Sequence, residues 1–396
     1  MELPEHKVTN LRQTCTTLLR TGHMDRKQFE SFVGKCQHAC LGIPGGKALL
    51  SPLYRLLYAA TTKEQATVYI HKQSPQAMAL KDLRTMFLII GSRPTYCAQL
   101  IPGTPAYVGH ADACKYGTGG IWLAGTKSLH PLVWRMQWPP PVQARFESGH
   151  LTINDLEMAG LLIHYLLLEA LVDVAFLQLA AWCDNTSAVA WTTKMSSSKS
   201  LIGQQLTRAL ALRLLTNQSS PLAALSISGI DNPLADLASR SFKATGTAGN
   251  YELSDVEFLT KFNADFPLTQ NASWIMLRPH TSVSSLVCTL LLGTTVPTGS
   301  WLRLKKCVCD IGHIGHTSSM TSIEWSPFSK TSQIATELTS SSVSPVMSVK
   351  GTLEEDIKSA LAPFRQQFAP SARPLNWTTD PIQLTNTGPT NIIGKP

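Results

Sequence analysis

Four acidic residues, Asp112, Glu157, Asp184 and Asp236, each stand at the edge of an otherwise apolar or small-residue stretch between Pro105 and Phe242. Carboxylates brought to one point suit one kind of chemistry well. Hydrolysing a phosphodiester needs an activated water and relief of the charge on the leaving oxygen, and two Mg2+ ions about 3.5–4 Å apart supply both. Such hard cations take oxygen ligands and keep several waters, with Mn2+ as the alternative ion. Without metal, two carboxylates about 4 Å apart repel by roughly 4 kcal/mol at an effective dielectric near 20, so a cluster makes sense as a cage and little sense as packing. Singly, each acid also has a plainer reading: Asp112 as a turn residue, Glu157 as a capping-box acid, Asp184 as a helix N-cap, Asp236 on a solvated helix face.

Whether the four meet depends on the elements that carry them. Ala106 to Ala111 reads as a short strand running into Asp112, and Gly119 to Ala124 as a second. Leu132, Trp134, Met136 and Trp138 alternate with Val133, Arg135 and Gln137, the period-2 mark of a third strand. Pro139-Pro140-Pro141 ends this meander. Asn154 reads as an N-cap with Glu157 at the third position of a helix running to about Leu171, apolar nearly all round and so expected against a sheet. Val174 to Trp182 is a fourth strand ending at Cys183-Asp184-Asn185, and helices from Ser187 to Lys194 and Ser200 to Thr216 follow. Leu222 to Ile230 is a fifth strand, and Leu234 to Ser241 a closing helix holding Asp236. A helix between strands three and four lets strand four lie parallel to strand one through a right-handed crossover. Sites in such sheets form at the carboxyl ends of the strands, where Asp112 and Asp184 stand.

The bulk properties bound the reading. The chain has 396 residues, a net charge of +8 and 15% charged residues. The positive excess is uneven: residues 1–100 carry 13 Lys and Arg against 6 Asp and Glu, whereas residues 101–242 carry nine of each. A basic first third beside an acid-centred middle suits a polyanion held by one part and worked on by another, although a solvated basic surface explains the charge alone. Nine irregularly spaced cysteines and no secretory leader point to reduced thiols in the cytosol or nucleus. The run Leu161 to Trp182 is broken by His164, Glu169 and Asp173, too polar for a membrane span.

The segments that hold the acids resemble the ribonuclease H fold, whose strand, helix, strand and helix supply Asp, Glu, Asp and Asp in that order. They are His110-Ala111-Asp112-Ala113-Cys114 with Gly117-Thr118-Gly119-Gly120, Asn154-Asp155-Leu156-Glu157, Trp182-Cys183-Asp184-Asn185-Thr186-Ser187-Ala188, and Asp231-Asn232-Pro233-Leu234-Ala235-Asp236-Leu237-Ala238-Ser239-Arg240. The last looks like retrotransposon ribonuclease H domains, in which an Asn precedes the acid by four. The resemblance implies an α/β, mixed five-stranded sheet flanked by helices over residues 101–245. It also implies hydrolysis of the RNA strand of RNA–DNA hybrids with two Mg2+ ions. Asp112 would bridge both ions, Glu157 and Asp184 hold the one beside the leaving group, and Asp236 the one that positions water. Substrate would be handled by Lys115, Asn185, Thr186, Lys194, Lys199 and Arg240, with Arg208 as a further cation. Two departures stand out. Many relatives carry a His before the last Asp, where this chain has Ser226-Ile227-Ser228-Gly229, and Ala113-Cys114 follows Asp112 where Gly or Ser is common. His110 points to the same face as Asp112 and reads as a core or sheet-surface residue.

The flanking regions complete the plan. Residues 1–100 read as a basic helical region, with apolar stripes at Phe29, Phe32, Val33 and Cys36 and at Leu49 to Leu57, broken by Ile43-Pro44-Gly45-Gly46. The stretch Phe32 to Leu49 looks like the segment after the polymerase palm in reverse transcriptases of DIRS-type or Gypsy-type retroelements. No Tyr-x-Asp-Asp polymerase motif occurs, so no polymerase activity is expected, and the polymerase part of the same polyprotein is an implied partner. Cys36, His38 and Cys40 offer too few ligands for a structural zinc. Residues 246–316 read as a small helical or irregular subdomain, with Cys307, Cys309, His313 and His316 at a spacing unlike a standard finger. Residues 317–396 are rich in Ser, Thr and Pro and read as a largely disordered tail, with a short helix at Leu353 to Phe364.

Overall fold

The computed structural model describes residues 3–92, 95–96, 99–101, 103–124, 131–197, 200–242, 253–268, 274–304 and 311–312. The expected tail, its short helix and the Cys307–His316 cluster lie outside these residues, apart from the backbone of 311–312.

The first third is helical, as its stripes require: α1 (Glu5–Thr21), β1 (His23–Asp25), α2 (Arg26–Cys40), α3 (Ser51–Thr62), β2 (Thr67–Tyr69) and α4 (Pro75–Ser92). Apolar residues at helical spacing, Val8, Leu11, Cys15 and Leu18, bury one face of α1. Gly22 ends the helix at φ 74°, a left-handed C-cap that glycine takes without Cβ strain. Asp25 starts α2 by accepting from Gln28 N at 3.1 Å. The two short strands pair antiparallel, Met24 opposite Val68, a ladder that the helical reading did not include.

The middle carries β3 (Tyr107–Ala113), β4 (Gly117–Ala124), β5 (Leu132–Gln137), α5 (Pro140–Glu147), α6 (Ile153–Leu171), β6 (Leu179–Cys183), α7 (Thr186–Lys194), α8 (Leu201–Asn217), β7 (Leu222–Ser226) and α9 (Pro233–Arg240). Then come α10 (Asp255–Asp265), β8 (Ile275–Leu277), α11 (Thr281–Leu291), α12 (Thr298–Leu302) and β9 (Ile311–Gly312). The fold is α/β. The sheet is mixed, in the order β7-β6-β3-β4-β5-β8-β9. The first three middle strands form the expected antiparallel meander, β6 joins β3 in parallel, and β7 joins β6 in parallel.

Three features differ from expectation. The sheet does not stop at five strands: β8 pairs in parallel with β5, Leu132 opposite Ile275, and the two-residue β9 pairs with β8. A strand of three residues is too short for alternation to register. The fourth strand starts at Leu179, because the preceding chain turns with Phe176 at φ 61°, and the fifth ends at Ser226. The proline run that stops β5 also opens α5, since a helix's first turn needs no N–H from Pro140 or Pro141.

Helix α6 covers one face of the sheet with α7 against β7, and α8 packs on α6; they share a core with α1–α4, built on Trp122, Trp134, Leu162, Leu166 and Leu210. Helices α9 and α10 cover the other, around Val108, Ile121, Trp182, Phe258 and Phe262. Buried ion pairs tie the parts together. Arg208 on α8 makes a two-pronged contact with Asp82 on α4, at 2.5 and 3.0 Å, and donates to Val296 O at 3.0 Å. Arg213 pairs with Glu169 at 2.7 Å and donates to Trp301 O at 2.6 Å. Arg135 pairs with Asp255 at 2.7 Å and lies over the rings of Phe242 and Phe258. The six described cysteines that could pair, Cys15, Cys36, Cys40, Cys114, Cys183 and Cys288, are free thiols. Among the described residues, no helix is long and apolar enough to cross a membrane.

Candidate functional site

Strand register sets the first two acids. His110 on β3 lies opposite Trp182 on β6 in a parallel pair, so Asp112 and Asp184 follow two residues later, Asp112 still on β3 and Asp184 just past the end of β6. Alternation sends both to the α9 face of the sheet. Asp112 is a buried strand residue, 4% exposed, which rules out its turn reading. Asp184 is half-buried and not a cap: Asn185 starts α7, accepting from Ala188 N at 2.9 Å.

Glu157 arrives from the opposite face. The cap of α6 is Thr152, in a reciprocal box with Asp155, two residues before the expected Asn154. Glu157 is therefore past the first turn and has no capping task. It is 4% exposed, and Cys183 Sγ lies 3.7 Å from its Oε2. Seven residues on, two turns along the same helix face, His164 fixes the register. Its ring stacks on Trp122 at 3.9 Å, and Trp134 Nε1 donates to its Nδ1 at 2.9 Å. Close approach of α6 depends on Gly160, where a Cβ would lie 2.7 Å from Thr118 Oγ1.

Asp236 comes on α9, and glycine again permits the contact: a Cβ at Gly119 would lie 2.5 Å from Ala238 Cβ. The buried Asn232 pins the start of α9 to β3. Its Nδ2 donates to Ala111 O at 3.2 Å, and His110 Nδ1 donates to its Oδ1 at 3.2 Å. His110 is buried, which is the core alternative of its expected placement, and burial holds it down to about 4. Ser239, on α9 just beyond Asp236, donates to Asp112 Oδ2.

The electrostatics bind the four together. Burial pushes Asp112 up to about 7; Ser239 opposes this, Asp184 and Asp236 add to it, and Arg240 opposes it. Burial raises Glu157 well above the carboxylate range, reinforced by Asp112 and Asp184 and opposed by the Ala113 N–H. Asp184 is raised by burial and then by Asp236. Arg240 is the cation of the cluster, pairing with Asp236 at 2.5 Å.

As a cation cage the site is uneven. Glu157, Cys183 and Asp184 offer ligand atoms all within 4.8 Å of one another, and no other group of this kind occurs among the described residues. Asp112 and Asp236 lie outside that tight group but within electrostatic reach. Buried carboxyls resisting ionisation beside a single guanidinium are what a bound cation would relieve, so the donor set fits a divalent ion. The Cys183 thiol is a soft donor that Mg2+ does not prefer. Cys36 and Cys40 face the core of the N-terminal helices and form no such group with His38.

The expected substrate-handling residues fall apart into groups. Arg240 sits in the cluster, and the exposed Thr186 follows Asp184 at the start of α7. Asn185 is occupied, capping α7 and donating to Asn154 Oδ1 at 2.9 Å. Lys115 pairs with Glu147 at 2.8 Å. Lys194 ends α7, about 12 Å of helix rise from Thr186. Arg208 is corrected outright: it is buried in its Asp82 pair and unavailable to any ligand. Lys199 lies outside the described residues. The sequence reading missed Ser239 and Cys183 as neighbours of the acids; spacing relative to Asp236 and Asp184 is the only signal either carries.

No protein-family model matches the chain, and neither the curated proteins nor the solved structures include a match.

Proposed function

We propose that the chain is a metal-dependent phosphodiesterase of the ribonuclease H type, hydrolysing the RNA strand of an RNA–DNA hybrid as part of a retroelement replication protein. The observation that carries this reading is the convergence of four carboxylates from β3, α6, the residue just after β6, and α9, two of them buried, at the carboxyl ends of two adjacent parallel strands. The strand order β7-β6-β3-β4-β5, with an antiparallel meander followed by parallel crossovers, supports the same reading.

Asp112, Glu157, Asp184 and Asp236 would hold the divalent ions, Mg2+ or Mn2+. When bound, such ions supply an activated water and relief of charge on the leaving oxygen. Ser239 holds the Asp112 carboxylate in place, and Arg240 tempers the repulsion within the cluster. The Thr186 hydroxyl, on an exposed residue at the start of α7 two positions after Asp184, would donate to a phosphate oxygen. The test is strand-resolved: the purified chain with Mg2+ and a hybrid labelled on each strand should cut the RNA and spare the DNA. Cleavage of both strands alike, or of neither, overturns the assignment.

Two observations favour a second reading, a catalytically decayed nucleic-acid-binding remnant. Asp236 is tied to Arg240, and the loop before it, Ser226 to Gly229, brings no histidine. On that reading hybrid binding persists, falls steeply with salt, and no metal restores cleavage.

A further inference from the structure

We propose that a groove between α1 and α4, far from the acid cluster in sequence, binds the sugar-phosphate backbone of a nucleic-acid strand. The helices run antiparallel: a Cβ at Gly91 would lie 3.2 Å from Val8 Cγ1, and the other ends meet where Leu18 and Lys81 line a common hollow. Their outer faces leave an open groove of about 510 Å³. Arg12 and Arg20, two turns apart on α1, face it with Arg84 of α4.

Three properties point to a phosphate ligand. First, the cations are uncompensated: among the described residues none of the three arginines is in an ion pair, and no acidic residue lines the groove. The one acid of α4, Asp82, faces inward to Arg208. Second, Arg12 Nε is buried without a hydrogen-bond partner, and a buried unmet donor costs about 1–3 kcal/mol unless a ligand meets it. Third, the rest of the lining is neutral and polar, including Thr9, Gln13 and Thr17, the donor types that meet phosphate oxygens without reading bases. An acidic peptide fits less well, because its apolar side chains would find no apolar residue in the lining.

The choice of a nucleic acid rests on the proposed nuclease function; the anionic, extended nature of the ligand does not. Such a groove would hold substrate by its backbone, without sequence preference.

The test uses the full chain in EDTA, so that nothing is cut, with a short labelled RNA–DNA hybrid followed by fluorescence anisotropy across a salt series. Arg20→Gln/Arg84→Gln removes two exposed charges, and Lys27→Gln/Lys63→Gln removes two exposed charges elsewhere. The groove pair should lower the slope of log affinity against log salt by about 1.4–1.8, at roughly 0.7–0.9 per phosphate contact, and weaken binding tenfold or more. The control pair should change both much less. Equal effects of the two pairs overturn the groove. Competition by poly-glutamate as effective as that by unlabelled RNA overturns nucleic acid as its occupant. If the groove pair behaves as expected while wild type cuts nothing in Mg2+, the nuclease reading falls and the groove stands.

Discussion

At the scale of single residues, Asp112 is the most informative group. Its carboxyl is raised from the usual range to about 7, chiefly by burial. A folded-state value above the unfolded one means that ionisation opposes folding. The protonated form's stability is full at low pH and is lost as pH rises from about 4 through 7. His110 acts oppositely: held down to about 4, it lends stability at high pH that is lost as pH falls through the same window. The total profile therefore hides both, and the difference between wild type and Asp112→Asn isolates one. Without divalent ions, the Tm of Asp112→Asn should gain on wild type as pH rises from 4 to 7.5. Millimolar Mg2+ or Mn2+ at pH 7.5 should restore wild type and leave the variant unmoved. A constant Tm difference across pH and metal would show that the carboxyl is not strained. The sequence named the four acids and left capping open as the plainer reading of two of them, Glu157 and Asp184. Thr152 with Asp155, and Asn185, hold those tasks, since one sequence cannot say which of several nearby polar residues closes a helix.

At the scale of elements, glycine decides how closely the acid-bearing helices approach. Gly119→Ala would drive a methyl group to 2.5 Å from Ala238, lifting α9 and Asp236 from the sheet. We expect a loss of about 2 kcal/mol or more by chemical denaturation, together with weaker divalent-ion stabilisation. Gly34→Ala in α2 meets nothing within 4 Å and should gain about 0.5–1 kcal/mol through helix propensity. If both substitutions have the same sign, the packing account of α9 is wrong. The five strands and the helices between them were readable because alternation and helical periodicity each span several residues there, whereas the place of the fifth strand beside the fourth was not. The three-residue β8 and the turn at Phe176 left no periodic trace, and α5 was masked by prolines that read equally as a strand stop.

At the scale of the whole molecule, buried arginines join parts that the sequence divides. Arg208 links α4, α8 and the Val296–Thr298 segment, with Thr298 donating to Asp82 at 2.5 Å. Removing one partner strands a buried charge, so Arg208→Met should cost about 3–5 kcal/mol, whereas the double change with Asp82→Leu should recover most of it. A double variant as unstable as the single one would mean that the cation's contacts to Val296 and Thr298 matter more than its ion pair. The sequence offered Arg208 as a cation near the site because an arginine on an amphipathic helix reads as part of its polar face, and nothing local shows that Asp82, 126 residues earlier, buries it.

Single-turnover cleavage of an RNA–DNA hybrid tests most directly the proposal that the acid cluster works as a metal-dependent hydrolytic site. Wild type should cut the RNA strand in Mg2+ and stop in EDTA. Asp112→Asn, shown folded by its melting curve, should be slower by a factor on the order of 10³ or more, equivalent to about 4 kcal/mol of barrier. Cleavage by Asp112→Asn at the wild-type rate would contradict the account.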